Sequence, residues 1–260
     1  MTESPADIAL SSPSPGVLLI TLTRAEARNA LRNQTLAEIA AALNDASADN
    51  SVRCVVITGN EKCFAAGADI KEVQNLTPVS SMQNPRSGYW QTLRRFDKPL
   101  LAAANGFVLG GGCELLMHCD IAIAGENAKF GQPEINLGLI PGAGGTQRLL
   151  RTVGKPLAMK MVLSGEFIRA EDALSAGLIA EVTPIEETLP RTLAIAETIA
   201  GKSPLAVKTA KQALLAAFET TLESGLQYER QLFAGLMGSE DKAEGIAAFL
   251  EKRDPAFTGQ

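Results

Sequence analysis

Histidine is nearly absent: His118 is the one histidine in 260 residues. A Ser-His-Asp triad therefore has no independent support. His118 itself lies in ELLMHCD, an apolar helical stretch that suits a packed histidine better than a catalytic one. Cysteine is scarce as well. Cys54, Cys63, Cys113 and Cys119 have neither the density of a disulfide scaffold nor a CxxC spacing, so reduced, structural thiols are expected. No clustered set of His, Cys, Asp and Glu offers metal ligands.

Basic stripes and long apolar runs are missing too. The formal charge is -5 with 20% charged residues, acids and bases interspersed, which argues against a nucleic-acid partner. Even the apolar segment 99–124 is broken by glycines, Glu114 and Asp120, short of the roughly 20 apolar residues that cross a bilayer. Residues 1–16 hold no Lys or Arg, carry two acids and lack the apolar run of a signal sequence. A soluble, cytoplasmic protein is expected. GxGxxG does not occur where a first strand meets a helix, and PGAGGTQR (141–148) lacks the Lys-Ser/Thr ending of a phosphate loop. Neither a nicotinamide cofactor nor a nucleoside triphosphate is indicated.

What is present is enough chain for one large domain, or a core with a smaller appendage. VLLITLT (17–23) and CVVIT (54–58) read as buried strands, and QTLAEIAAALNDA (34–46) between them places Leu36, Ile39 and Leu43 at helical spacing. LLAAA (100–104) and DIAIA (120–124) read as two further strands, joined by a glycine-rich turn and a short helix around 111–118. This alternation implies an α/β architecture. From about residue 155 the chain becomes a series of amphipathic helices, each punctuated by Gly or Pro. Helices over 204–218, 220–237 and 239–252 either pack on the core or bury their apolar faces against other subunits; an oligomer is the preferred reading.

Two segments carry the chemistry. In KCFAAGADIKE (62–72), small residues let a ligand approach the backbone, and ADIKE can open a helix with unpaired N–H groups. In GFVLGGGCELLMHCD (106–120), three glycines precede another helix start. Two N–H donors converging from two such loops make an oxyanion hole. Glu114 ends GFVLGGGCE and Glu134 ends AKFGQPE, about twenty positions on. Their different surroundings suit a pair of carboxyls with separated pKa values, as general acid/base work requires.

RNAL (28–31), FAAGADIKE (64–72), NGFVLGGGCELLMHCD (105–120), FGQPEINLGLIPGAGGTQRL (130–149) and GKPLAMKMVLSG (154–165) together resemble the crotonase superfamily, specifically its enoyl-CoA hydratases. The similarity runs from about residue 14 to the C-terminal EKRDPAF. It implies a spiral of repeated ββα units over 1–195 and a helical trimerisation region over 196–260, assembled as a homotrimer or a hexamer made of two trimers. It also implies an oxyanion hole from the N–H groups of Ala68 and Gly111, around the carbonyl of a CoA thioester. Ala66, Asp69, Ile70 and Lys71 would line the CoA path, with Ala25 close to it. Glu114 would act as base on the water that attacks the β-carbon, Glu134 would protonate the α-carbon, and the Gly142 N–H would help hold the water. No cofactor is required, because the CoA belongs to the substrate.

The residues fit these roles. Glu114 follows GGG in the first turns of a helix, whose dipole favours the ionised form. Glu134 follows Pro133 and leads into the apolar INLGLI, where partial burial raises a carboxyl pKa. Three other readings stand beside hydration. A Δ3-Δ2 enoyl-CoA isomerase of the same fold typically relies on one carboxylate, so the retention of both glutamates favours hydration. An RNA-binding member of the superfamily fits poorly with the charge of -5. A purely structural subunit fits poorly with intact site motifs. Within the family, GENAKFGQPEINLG and YERQLFAGLMGSEDKAEGIAAFLEKRDPAF are similar to bacterial hydratases of phenylacetate catabolism that act on 2,3-dehydroadipyl-CoA. The acyl end is expected among residues of 74–98, Trp90 and Leu93 included, and beyond 155. An Arg or Lys of the 86–98 region, such as Arg94 or Arg95, would pair with a terminal carboxylate if the substrate has one.

Overall fold

The β-branched runs pair side by side because each is apolar on both faces. In a computed structural model, which describes residues 6–260, β1 (Ile8–Ser14) lies antiparallel to β2 (Val17–Leu22), and β2 is followed by α1 (Asn33–Ala48) and a parallel β3 (Cys54–Thr58). Residues 1–5, the start of the 1–16 stretch and of the 1–195 unit read above, lie outside the described residues. Buried Leu36, Ile39 and Leu43 make the inward face of α1. The helix ends on a buried lysine: Lys98 Nζ donates to the carbonyls of Ala46, Asp49 and Val52 at 2.6, 2.7 and 2.8 Å. A cation at the negative end of a helix satisfies carbonyls that have no partner within it.

From β3 onward the chain repeats one unit. β4 (Cys63–Ala65) is followed by α2 (Ile70–Val73), α3 (Pro78–Met82) and α4 (Arg86–Arg95). β5 (Leu100–Ala104) and β6 (Phe107–Leu109) lead into α5 (Gly111–His118). β7 (Ile121–Gly125) and β8 (Lys129–Gly131) lead through a 3-10 turn at Pro133–Leu137 to α6 (Gly145–Val153) and α7 (Lys155–Ser164). The first strand of each pair joins one sheet and the second joins another, so the chain winds as a spiral of ββα turns. With β9 (Ile168–Arg169), α8 (Ala170–Ser175) and β10 (Glu181–Thr183), the sheet orders become β1-β2-β3-β5-β7-β10 and β4-β6-β8-β9. Both sheets are parallel apart from the β1–β2 and β8–β9 pairs.

Side-chain alternation explains the continuous apolar strands. Val55, Ile57, Leu100, Ala102 and Ala104 point into the main core. Cys54, Val56, Leu101 and Ala103 point the other way, against Ala196 and Ala200 of α9 (Thr188–Ala200). The 195/196 division expected from the sequence falls within this helix. Buried Cys54 and Cys63 are free thiols, raised to about 12 and about 11 by desolvation, in keeping with structural roles.

The tail consists of α10 (Pro204–Ala216), α11 (Leu222–Leu236) and α12 (Glu240–Glu251), close to the sequence reading. Lys211 anchors α10 to the core through Asp120 at 2.7 Å. Neither α10 nor α11 buries a single residue, and Leu214, Leu222 and Phe249 are 72%, 80% and 82% exposed. Among the described residues no helix is long and apolar enough to cross a membrane.

Candidate active site

The loop after β4 and the start of α5 meet because β4 and β6 are parallel neighbours. The chain turns at Gly67 with φ +114° and at Gly110 with φ +49°, conformations that an L side chain rarely adopts. A Cβ placed on Gly111 would lie 3.4 Å from the Ala68 backbone nitrogen, so the two N–H donors expected from sequence are neighbours. Their surroundings leave both available. Leu31 pairs with Ala68 as an isolated parallel bridge, in which Leu31 N–H donates to the Gly67 carbonyl and Asp69 N–H to the Leu31 carbonyl. That pairing does not use the Ala68 N–H. Gly111 opens α5, where an N–H has no partner within the helix.

The two glutamates reach the same place from successive turns of the spiral. Glu114 is 3% exposed. Its Oε1 accepts from the Ala143 N–H at 2.7 Å and the Gly145 N–H at 2.8 Å. Gly142 immediately precedes this pair of donors in a stretch with open space around it. Glu134 sits in the 3-10 turn after β8, and a Cβ on Gly110 would come within 2.9 Å of its Oε1. A Cβ on Gly145 would lie 3.0 Å from Glu114 Oε1 and 2.9 Å from the Gln132 amide.

Gln132, fully buried, completes the link and was not singled out from sequence. Its amide lies 3.1 and 3.2 Å from the two Glu134 oxygens. With the NH2 turned to the carboxylate it serves the ionised form, and with the carbonyl turned there it serves the protonated form. A polar residue between two short apolar stretches, two positions before the glutamate, was the available signal.

Burial dominates both carboxyls. It pushes Glu134 up to about 7, with the charge of Glu114 adding to the rise. It also raises Glu114, against the pull of the Gly145 and Ala143 N–H groups and of Arg86. The expectation that the helix dipole holds Glu114 low is thus corrected in direction, since desolvation outweighs the donors. Glu134 alone carries the added repulsion of its neighbour's charge, whereas Glu114 has two N–H donors and Arg86 pulling against its burial. A ¹³C carboxyl titration of the free protein is expected to show Glu134 with a midpoint near 7. Between the ordinary carboxyl value and that midpoint the folded state keeps a proton that the unfolded chain has lost, so this group costs stability increasingly as pH rises. Chemical denaturation is expected to show Glu134→Gln gaining on the wild type from pH 5 to pH 8.

The remaining sequence candidates lie on the Leu31 side. Ala25 opens an exposed 3-10 turn, Ala25–Ala27. Arg24 ties that turn to Asp69 Oδ2 at 3.0 Å, and the Ala66 N–H donates to the Arg28 carbonyl at 3.0 Å. Asp69 caps α2 through the Lys71 N–H, and Ile70 and Lys71 are exposed on its first turn. Buried Asn29 holds the strip against β4 by donating to the carbonyls of Cys63 and Phe64.

The acyl-end candidates are spread along α4. Leu93 packs in the main core, and Trp90 lies 5.1 Å from the His118 ring. His118 is held by its Nδ1 contact with the Glu114 carbonyl, and burial pushes it down to about 4, as a packing histidine. Arg94 and Arg95 are exposed on the last turn of α4. Arg86, at the other end of that helix, is the cation acting on Glu114.

Comparison with known proteins shows the family of the chain. Residues 13–260 match the family described as enoyl-CoA hydratase/isomerase. The chain is 52% identical over 244 residues to the 2,3-dehydroadipyl-CoA hydratase of Escherichia coli, covering 94% of this chain and 96% of that protein. It is 48% identical over 242 residues to the mitochondrial enoyl-CoA hydratase of Pongo abelii, covering 93% and 83%. The crystal structure of an enoyl-CoA hydratase from Bacillus anthracis superposes with a TM-score of 0.93 at 36% identity, covering 98% of this chain and 100% of that one. The chain belongs to the enoyl-CoA hydratase/isomerase family of the crotonase superfamily. Within it, the chain stands with the enoyl-CoA hydratases, which are hydro-lyases.

Proposed function

We propose that this chain adds water across the double bond of a trans-2-enoyl-CoA to give a 3-hydroxyacyl-CoA. The observation that carries the reading is the convergence of Glu114, Glu134 and the Ala68 and Gly111 N–H groups on one site. Ionised Glu114 takes a proton from water as its oxygen bonds to the β-carbon. The electron pair of the double bond moves toward the thioester carbonyl, where the two N–H groups stabilise the developing negative charge. Glu134 then delivers its proton to the α-carbon, a role suited to a carboxyl that is still protonated near neutral pH. Gly142 helps to hold the water, beside the donors that orient Glu114. Ala25, Ala66, Asp69, Ile70 and Lys71 flank the CoA. Exchange with solvent resets the two protons.

The test is loss of the enoyl-thioester absorbance when crotonyl-CoA is added to the purified protein. Persistent absorbance at high enzyme concentration would reject the reading. The narrower substrate is a 2,3-dehydroadipyl-CoA, supported by the similarity to the Escherichia coli enzyme of that name. On this reading the chain serves phenylacetate catabolism in the cytoplasm.

The helical region 196–260 assembles the chain into a homotrimer, or a hexamer of two trimers. What supports this is the set of exposed apolar side chains on α10, α11 and α12. Sedimentation equilibrium is expected to give three or six times the 27.4 kDa chain mass. A stable monomer at micromolar concentration would exclude the assembly.

A further inference from the structure

Arg86 places a guanidinium near Glu114, where its charge favours the ionised carboxylate, and the hydration chemistry asks nothing more of it. Its side chain is only 17% exposed. One arm, Nη2, donates to the Leu31 carbonyl at 3.1 Å. The other, Nη1, stands 3.5 Å from Glu72 Oε2, a long contact to a carboxylate oxygen that also accepts from the Asn33 N–H at 2.7 Å. Leu31 is the residue that pairs with Ala68, and its Cδ1 lies 3.7 Å from where a Cβ on Gly111 would be. The guanidinium is therefore hydrogen-bonded to the residue that touches both oxyanion donors.

Desolvating a guanidinium is costly unless its donors are used. Arginine has five N–H groups, and among the described residues only Leu31 and Glu72 accept from this one. Burial lowers the pKa of Arg86, and Glu114 is among the carboxylates that sustain its charge. An apolar acyl tail would leave the remaining guanidinium N–H groups without an acceptor. A second carboxylate, carried at the far end of the acyl chain, would answer it with the planar two-oxygen geometry that suits an arginine fork.

We propose that Arg86 is the specificity-determining residue of this site, selecting enoyl-CoA chains that end in a carboxylate by binding that carboxylate with the donors left free by Leu31 and Glu72. The inference rests on the hydratase reading above. It replaces Arg94 and Arg95, which occupy the exposed end of the same helix.

The experiment compares 2,3-dehydroadipyl-CoA with trans-2-hexenoyl-CoA, which has the same six carbons and no second carboxylate. Wild type, Arg86→Gln and Arg86→Lys are assayed on both. The wild type is expected to favour the dicarboxylate. In Arg86→Gln the ratio of kcat/KM values, dicarboxylate over hexenoyl, is expected to fall about 10²-fold, mainly through the KM of the dicarboxylate. Both substrates also lose some turnover, because Arg86 helps to keep Glu114 ionised. Arg86→Lys is expected to recover part of the ratio, since the charge remains while the fork is lost. Equal losses on the two substrates would make Arg86 a positioning residue only and overturn the proposal. A wild type that prefers the hexenoyl chain would overturn it without any variant. A wild type that hydrates neither would reject the hydratase reading itself.

Discussion

Glu114→Gln is expected to lower crotonyl-CoA hydration by about 10²–10⁴-fold, and Glu134→Gln by a similar factor. Glutamine keeps the size of each side chain but can neither take nor give the proton. The two losses have different origins. Glutamine at 114 can still present its carbonyl to the Ala143 and Gly145 N–H groups, so the fold around it should hold while the base is gone. Glutamine at 134 removes the acid and faces the Gln132 amide, which can pair with another amide as readily as with a carboxyl. Because the residues act on one transition state, the double variant is expected to lose much less than the product of the single losses. Steady-state rates together with circular dichroism check this. Near-normal turnover in either folded single variant would sink the two-carboxylate mechanism.

Gly110→Ala is expected to cost about 10²–10³-fold in kcat, comparable to the removal of one oxyanion donor. Gly110 combines φ +49° with ψ −122°, and its Cβ would intrude to 2.9 Å from Glu134 Oε1. Relief requires either the backbone or the carboxyl to move. The first displaces the Gly111 N–H and the second displaces the acid, so both routes damage the chemistry more than the binding of CoA. The KM is expected to change less than kcat. Wild-type kcat in a well-folded Gly110→Ala protein would show that this turn does not set the donor geometry.

The long elements of this fold were legible because they are periodic. The strands at 17–22, 54–58, 100–104 and 121–125 are continuous apolar runs, and α1 repeats its buried face at helical spacing. The second sheet was not legible. β4, β6 and β8 are three residues each, too short to display a period of two, and they are strands only because consecutive turns of the spiral stack. At the site, the motifs pointed to Glu114, Glu134, Ala68 and Gly111, and the geometry adds what no spacing encodes. Ala143 and Gly145, rather than the α5 dipole, hold Glu114. Gln132 faces Glu134 only because β8 delivers the two residues to one side of a tight turn. Arg94 and Arg95 looked equal to Arg86 in a string of letters, and only the direction of α4 separates an exposed end from a buried start.

The three short strands have a further consequence. β4, β6 and β8 each hand over one piece of the proposed site: the Ala68 N–H, the Gly111 N–H with Glu114, and Glu134. The site is therefore indexed like the teeth of adjacent gears, and its alignment depends on how neighbouring coils mesh. Slipping one coil by a single residue would turn every side chain on that strand to the opposite face and carry its catalytic group out of line. The largely exposed stretch 74–83, by contrast, lies outside that alignment and can change its length or charges without disturbing it. The fold thus separates a fixed centre from an adjustable wall, and Arg86, bonded to Leu31, stands where the two meet.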